Sequence, residues 1–298
     1  MDVRFVPFDE IDVTRWNSCI HFAINGNVFG YHWFLKNVSR EFDALVEGNY
    51  ESVMPLISRT SKWNYPQLFH PNDIGRLGIF SVHVLSPPRI QKFIEAIPST
   101  YLGQQISFNE YNKSIIKDLP DATSSAWYQL DLSAPYEIIQ NAYNPEALDL
   151  IENGRDQNWM PHSHIKPEEL VDFFATIDGE TDTHMWMRIH YNLMHRGTAF
   201  PTVYCDSDGE IGAAALFTYY NGFFTLLNFK AKPQVEESLF LLLADDLIRL
   251  HAERPLRFDF NLFGEDLKAD KLGAIKKEVY KVDSSPKWGK IFRHWVGT

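Results

Sequence analysis

The sequence predicts an α/β protein built from two similar halves, each with a mixed sheet and flanking helices. Each half follows the same order: a strand, helices, a hairpin, a strand, a helix and a final strand. A repeated order of elements indicates duplication of one structural unit. The length of 298 residues suits two domains, and 45% hydrophobic residues suit folded cores. We therefore expect domains at residues 1–122 and 123–298.

The elements of the first half follow from hydrophobic alternation, capping residues and turn residues. Thr14 is expected to cap the first helix, prolines open the helix at residue 87, and Gly48 marks a hairpin turn. The expected elements are, in order, strand 3–6, a helix from Thr14 to Ala23, helix 31–39, strands 42–47 and 50–57, a loop over 58–72, strand 77–80, helix 87–97 and strand 104–110.

The second half follows a connection at Asp118–Ser125. Pro145 predicts a break in its first helical stretch, and Asn221-Gly222 is a strong hairpin signal. The expected elements are strand 126–132, helices over 135–153, a loop over 158–166, helices 167–177 and 182–195, strands 200–205, 211–219 and 223–231, helix 234–251 and strand 256–261.

Composition excludes several classes of function. The net charge is −11 and no long cluster of Lys and Arg occurs, which argues against a DNA groove and disfavours tRNA. Cys19 and Cys205 are distant in sequence, as expected for reduced thiols. No apolar run reaches the roughly 18 residues of a membrane span. We expect a cytoplasmic protein without a membrane span.

Several segments resemble the GNAT N-acyltransferase fold. In the second half these are Arg257–Asn261, Gly264–Leu267 and Lys271–Ala274, followed by Tyr280. Two such halves in one chain resemble bacterial FemAB-like, GNAT-related proteins, and residues 42–46, 50–56 and 77–81 carry the likeness in the first half. Fem-type peptidyltransferases add amino acids to peptidoglycan precursors from aminoacyl-tRNA. The resemblance implies transfer of an acyl or aminoacyl group to a small-molecule or peptide amine by direct attack.

The resemblance also implies site residues. Tyr280 matches a tyrosine that protonates the leaving thiolate in some GNAT enzymes. Asp259 is expected to hold the acceptor amine or act as a base, although a polar residue at a strand end also caps turns. Lys230 and Lys232 lie beside the helix start that binds the pyrophosphate of acyl-CoA in GNAT enzymes. That turn contains no glycine here, and Glu236 and Glu237 follow it.

The remaining candidates concern the substrate and metals. Asn261 and Glu110 end corresponding strands of the two halves, and Trp33 is an aromatic candidate for a substrate groove, or else a core residue. His162 and His164 have metal-like spacing, but no third ligand accompanies them, so no metal is expected. The alternative to catalysis is a GNAT-fold binding or scaffolding protein that lost its donor site, which the glycine-free turn favours.

Overall fold

The computed structural model describes residues 2–60, 64–71, 76–101, 103–119, 121–162, 164–263 and 268–284. Ser163 and the predicted signature segment 264–267 lie outside the described residues. The strands are β1 (Val3–Val6), β2 (Asp43–Glu47), β3 (Ser52–Leu56), β4 (Ser58–Thr60), β5 (Pro66–Leu68), β6 (Phe80–Ser81), β7 (Gly103–Phe108), β8 (Ala122–Asp131), β9 (Met160–His162), β10 (Ala199–Cys205), β11 (Ile211–Tyr220), β12 (Phe223–Ala231), β13 (Arg257–Phe263) and β14 (Ile275–Ser284). The helices are α1 (Val13–Phe22), α2 (His32–Ser39), α3 (Pro87–Glu95), α4 (Lys113–Ile116), α5 (Tyr136–Gln140), α6 (Pro145–Asp156), α7 (Pro167–Ile177), α8 (Thr183–His195) and α9 (Glu236–His251).

The chain forms two compact units. Unit 1 comprises residues 1–125 together with the segment that begins at Glu278, and unit 2 comprises Ala126–Lys277. Strands β8 and β14 each contribute residues to both units. The boundary at Ser125 is near the expected one, but the end of β14 belongs to unit 1 instead of the second half.

Unit 1 contains two groups of paired strands. One is antiparallel with the order β1-β2-β3-β6, and the other has the order β4-β5-β7-β14. Within the second group, β5 and β7 run parallel, whereas β14 pairs antiparallel with β7. Buried side chains of the strands pack with Ile90 and Phe93 of α3 to form the core.

Unit 2 has the strand order β8-β13-β12-β11-β10-β9. Only the β12–β13 pair is parallel among the pairings described for this unit. Leucines of α9 and apolar residues of α6 pack on one face of these strands. This mixture of helices and mixed sheets confirms the predicted α/β class.

A charged cluster joins α6 to α9 in unit 2. The Nη2 atom of Arg155 donates to Asp245 at 2.6 Å and to Asp246 at 3.0 Å, and Asp245 is fully buried. The hydroxyl of Tyr136 donates to the other oxygen of Asp245 at 2.8 Å. Burial, and next the hydrogen bond to Asp245, raise the pKa of Tyr136 to about 12. This tyrosine therefore stays a hydrogen-bond donor at neutral pH, and the cluster is structural.

Three details differ from the sequence-based expectation. The α1 helix is capped by Asp12, whose carboxylate accepts from the N–H of Arg15 at 3.0 Å, and Thr14 lies inside the helix. The expected loop over residues 58–72 contains β4 and β5, and the expected loop over 158–166 contains β9. The strand expected at 77–80 forms only at Phe80–Ser81, because asparagine side chains bond the backbone before it. The break before Pro145 is confirmed by separate helices α5 and α6.

Helix α8 buries a histidine. His190 is 1% exposed, and its Nδ1 atom has no hydrogen-bond partner among the residues that the structure describes. Burial lowers the pKa of His190 to about 4, although the charge of Glu168 acts in the opposite direction. His190 is therefore neutral in the folded protein at physiological pH, and protonating it opposes folding.

We expect His190→Leu to flatten the pH dependence of stability below pH 7. The unfolded chain binds the proton with a pKa near the ordinary value of about 6.5, so it takes up more protons than the folded chain between that pH and about pH 4. Stability from this residue is complete above pH 6.5 and falls by about 2 kcal/mol between pH 7 and pH 5. Urea unfolding at both pH values measures the difference. The exposed His184→Leu on the same helix should keep the wild-type dependence, and an equally steep loss in His190→Leu would contradict the assignment.

Candidate functional site

A row of buried polar side chains crosses the strands of unit 2. Thr218 of β11 is the register partner of Thr225 of β12, which is the partner of Asp259 of β13. Asp259 in turn is the partner of Gln129 of β8. All four are at most 5% exposed. Register partners project from the same face of a sheet, so the four side chains form one polar row.

Strand alternation explains which face carries the polar row. Phe258 and Phe260 flank Asp259 in β13 and belong to the core that packs with α9. Successive side chains of a strand point to opposite faces, so Asp259 lies on the face away from α9. A buried carboxylate is costly unless hydrogen bonds or opposite charge compensate it. The polar partners around Asp259 therefore offset the cost of burying its carboxylate.

A lysine lies at the end of the polar row. The Nζ atom of Lys277 donates to Oε1 of Gln129 at 3.2 Å and lies 5.5 Å from the centroid of the Trp127 ring. The ring face and the amide oxygen both favour the ammonium group. Because Lys277 occupies Oε1, the amide N–H groups of Gln129 are left to serve the neighbouring positions of the row.

The parallel strands β12 and β13 separate beside Asp259. Their pairing runs from Phe223–Arg257 to Thr225–Asp259. Just beyond, β12 contains a bulge: Phe217 is paired with Leu226 and Leu216 with Asn228, so Leu227 has no partner in β11. Separation of parallel strands at their carboxyl ends opens a crevice of the kind in which α/β proteins bind ligands.

Strand β13 is irregular at the same level. Between the pairs Asp259–Gln129 and Phe263–Trp127 it contains more residues than β8, and Asn261 has a φ of +48°. The N–H of Asn261 donates to Asp259 Oδ1 at 3.0 Å. The buried Oδ1 of Asn261 has no hydrogen-bond partner within the described part of the chain. Both irregularities place backbone and side-chain polar groups next to the buried carboxylate.

Unit 1 closes the corresponding position with its own side chains. Asn109 follows β7 as Asn261 occurs in β13, but its Nδ2 donates to the carbonyl of Leu77 at 2.9 Å and contacts that of Ile79 at 3.3 Å. Asn25 donates to the carbonyl of Ile79 at 2.7 Å, and Asn112 accepts from the N–H of Ile79 at 3.0 Å. These asparagines satisfy a backbone segment that would otherwise be unpaired. At this position the Oδ1 atom of Asn109 accepts hydrogen bonds, whereas that of Asn261 in unit 2 accepts none from a described residue.

The two lysines predicted to hold a cofactor are paired with carboxylates. Lys230 Nζ lies 2.7 Å from Asp178, and Lys232 Nζ lies 3.8 Å from Glu210. The hydrogen bond from Lys230 is the main cause that lowers the pKa of Asp178. A phosphate at the end of β12 would have to compete with these carboxylates.

The first turn of α9 is acidic. Glu236 is bonded by Lys268, and Glu237 by Lys271 at 2.6 Å. The helix begins without a side-chain cap. Carboxylates stabilise the positive end of a helix and repel a second anion there. This arrangement is unfavourable for a pyrophosphate at the start of α9, where the resemblance to GNAT enzymes led us to expect one.

The other predicted residues belong to unit 1. Tyr280 was expected in the site of the second half, but it pairs with Phe108 of β7, and its hydroxyl donates to Glu278 at 3.3 Å. Glu110 contacts the buried Arg76 at 3.4 Å. Trp33 is half-buried with its ring near Phe34. The structure thus brings together Asp259 and Asn261 in one place and Lys230 and Lys232 in another.

Sequence reasoning missed three members of the polar row. Thr218, Thr225 and Gln129 gave no signal because each lies in an otherwise ordinary strand. Polar residues at alternating positions were visible in residues 127–131, but their alignment depends on register. Register between strands of distant sequence is set by the fold and cannot be read from one strand alone.

The described residues contain neither a metal-binding cluster nor a membrane-spanning helix. No cluster of three or more His, Cys, Asp and Glu among them is arranged to hold a metal ion. No helix within the same residues has the length and apolar character needed to cross a membrane.

The fold is similar to that of several solved acyltransferases. No family model matches the chain, and no curated protein matches it. The crystal structure of FemX superposes with a TM-score of 0.66 at 10% identity, covering 98% of this chain and 99% of FemX. L-PGS from Bacillus licheniformis gives 0.58 at 10% identity, with 96% of each chain covered. A tandem GNAT protein from the clavulanic acid biosynthesis pathway, solved without AcCoA, gives 0.52 at 11% identity over 95% of this chain and 98% of that one.

These similarities show the fold. The chain has a FemAB-like, GNAT-related acyltransferase fold, as its sequence predicted. Fold alone does not assign an activity, which has to be argued from the site.

Proposed function

We propose that the protein transfers an acyl or aminoacyl group to an amine, and that unit 2 carries the reaction. The observation that carries this proposal is the parting of β12 and β13 beside the buried Asp259. The place combines a carboxylate, a bulge at Leu227 and the unused Oδ1 of Asn261. Direct transfer between a thioester or ester and an amine needs positioning, carbonyl polarisation and proton removal, and this set supplies groups for each.

The chemistry assigns a role to each group. The amine nitrogen attacks the carbonyl carbon of the donor, a C–N bond forms, and the C–S or C–O bond of the donor breaks. Asp259 holds the acceptor ammonium, which loses one proton to solvent before the neutral nitrogen attacks, and then receives the second proton that the nitrogen loses as the C–N bond forms. Backbone N–H groups at the Leu227 bulge donate to the carbonyl oxygen as negative charge develops on it. The leaving thiolate or alkoxide takes up a proton from solvent, since Tyr280, the residue that the sequence suggests for this step, belongs to unit 1.

The donor is held away from the start of α9. Acyl-CoA is one donor that the resemblance to GNAT enzymes implies. The acidic first turn of α9 and the pairing of Lys230 and Lys232 with carboxylates disfavour an anion there. An aminoacyl ester on tRNA is the other donor that the resemblance implies, against a net charge of −11. The proposal therefore specifies the group transferred and leaves the carrier to experiment.

We expect acetyl-CoA to bind weakly and the double variant Glu236→Gln/Glu237→Gln to bind it about tenfold more tightly. Each like charge at a helix N-terminus costs about 0.3–1 kcal/mol, so removing two strengthens anion binding by this order. Calorimetric titration measures both affinities. The control is Glu169→Gln in the first turn of α7, which should leave the affinity unchanged. Tight wild-type binding that Lys230→Ala or Lys232→Ala weakens would restore the two lysines as the phosphate site.

The proposed activity is tested with a matrix of donors and amines. Acyl-CoAs and aminoacyl-tRNAs are each incubated with small amines and short peptides, and mass spectrometry detects an amine that gains the acyl mass. Release of free thiol or loss of the aminoacyl ester confirms the donor. Product formation that needs folded protein supports transfer, and absence of product from every pair contradicts it.

One observation favours a second function. The acidic start of α9 disfavours an anionic donor at this position. This is what we expect of a protein that kept the fold for binding or scaffolding and lost its donor site. Such a protein would bind an amine or a peptide but would consume no donor. Ligand binding without turnover across the whole matrix would select this function.

A further inference from the structure

A hollow of about 350 Å³ opens in unit 2 at the amino ends of β12 and β13. Its lining includes Asp131, Ser133, Gly222, Phe223 and Arg257. A volume of this size falls within the range of about 300–1,000 Å³ that is usual for small-molecule sites. Neither the sequence-based candidates nor the proposed reaction uses it.

The hollow is one step along the strands from the polar row. Arg257 precedes Asp259 by two residues, Asp131 follows Gln129 by two, and Phe223 precedes Thr225 by two. Residues two apart in a strand share a face and are separated by about 7 Å. The charged lining of the hollow therefore lies on the face of the sheet that carries Asp259.

The two charges of the hollow are opposite but separate. Asp131 and Arg257 are register partners, yet no ion pair within 4.0 Å joins these two described residues. Asp131 accepts from the N–H of Ser133 at 2.9 Å, and the guanidinium of Arg257 lies 6.0 Å from the Phe223 ring centroid. The hydrogen bonds from Ser133 lower the pKa of Asp131, which keeps this carboxylate charged at neutral pH. The positive charge of Arg257 also lowers this pKa, so the two groups attract each other across the hollow without forming an ion pair.

We propose that the hollow binds the zwitterionic end of a small amino acid or peptide. Arg257 would bind the carboxylate and Asp131 the ammonium, since guanidinium–carboxylate and ammonium–carboxylate bonds are strong and directional. This recognition does not depend on the proposed transfer.

Three related compounds test the recognition. Lysine carries both groups, cadaverine lacks the carboxylate, and 6-aminohexanoate lacks the α-ammonium. Calorimetry without a donor should show saturable lysine binding that is about tenfold or more tighter than binding of either analogue, as expected for loss of one charged contact. The transfer matrix is run separately, so failure of transfer and failure of binding are distinguished.

Substitutions at the exposed Asp131 and Arg257 test separately the contact with the ammonium and the contact with the carboxylate. In Asp131→Asn, lysine and 6-aminohexanoate should bind alike, because the partner of the α-ammonium is gone. In Arg257→Gln, lysine and cadaverine should bind alike for the corresponding reason. The controls Asp172→Asn and Arg196→Gln, on exposed positions of unit 2, should keep wild-type affinities, and thermal unfolding verifies that every variant is folded. Absence of lysine binding to the wild type, or lysine binding that neither substitution weakens, would overturn the proposal.

Discussion

Asp259→Asn is expected to lower the rate of transfer to an amine by about 10²–10⁴-fold, the usual effect of losing a positioned acid–base group. The carboxylate is 2% exposed and lies where β12 and β13 part. An amide of the same shape accepts the N–H of Asn261 but removes the negative charge that attracts an ammonium group and takes its proton. The loss should appear chiefly in kcat/KM measured with the donor and amine that the matrix identifies.

Measurements of stability distinguish this loss of activity from a loss of folded protein. Asparagine keeps the volume of the side chain and the hydrogen bond from Asn261. We therefore expect the midpoint of thermal unfolding of Asp259→Asn to stay near that of the wild type. Asp172→Asn, on the exposed side of α7, should retain the full rate. A fully active Asp259→Asn would remove this residue from the reaction.

Asn109→Ala is expected to destabilise the protein by about 3 kcal/mol, a large effect for one polar side chain. The Nδ2 of Asn109 donates to the carbonyls of Leu77 and Ile79, and its Oδ1 accepts from Asn25 and from the N–H of Tyr111. Asn109 is 1% exposed, so water cannot replace these bonds. The carbonyl of Leu77 and the amide of Asn25 would each lose a partner.

The matched variant is Asn261→Ala in unit 2. Its Oδ1 makes no hydrogen bond to a described residue, so the main cost is the left-handed conformation at +48°, about 1 kcal/mol or slightly more for alanine. Urea unfolding of both variants measures the contrast. We expect the order to reverse for transfer, with Asn261→Ala impaired and Asn109→Ala active at temperatures where it is folded. Equal destabilisation by the two variants would contradict the difference between the units.

The sequence predicted the elements that depend on local chemistry. The Asn221-Gly222 hairpin, the helix break at Pro145 and the exact bounds of α7 follow from turn residues and capping, and all are present. The short β6 was predicted too long because Asn25 and Asn112 bond its flanking backbone from other parts of the chain. Such side-chain competition leaves no periodicity in a sequence.

The candidate site was predicted only where residues were adjacent in sequence. Asp259 and Asn261 were found together because they share a strand end. Tyr280 was assigned to the wrong unit because β14 begins in unit 2 and continues into unit 1. Gln129, Thr218 and Thr225 join Asp259 through strand pairing alone, which depends on the whole fold.

The closed position of unit 1 also bears on how the two copies can change over evolutionary time. Three asparagines occupy in unit 1 the kind of place at which we propose that unit 2 binds its substrate. Substitutions around the closed copy are then constrained by stability, and compensating changes elsewhere in the core can offset them. Substitutions around the open copy, unit 2, are constrained by the substrate that it has to bind. A duplicated chain of this form can acquire a new substrate in one copy while the other maintains the fold.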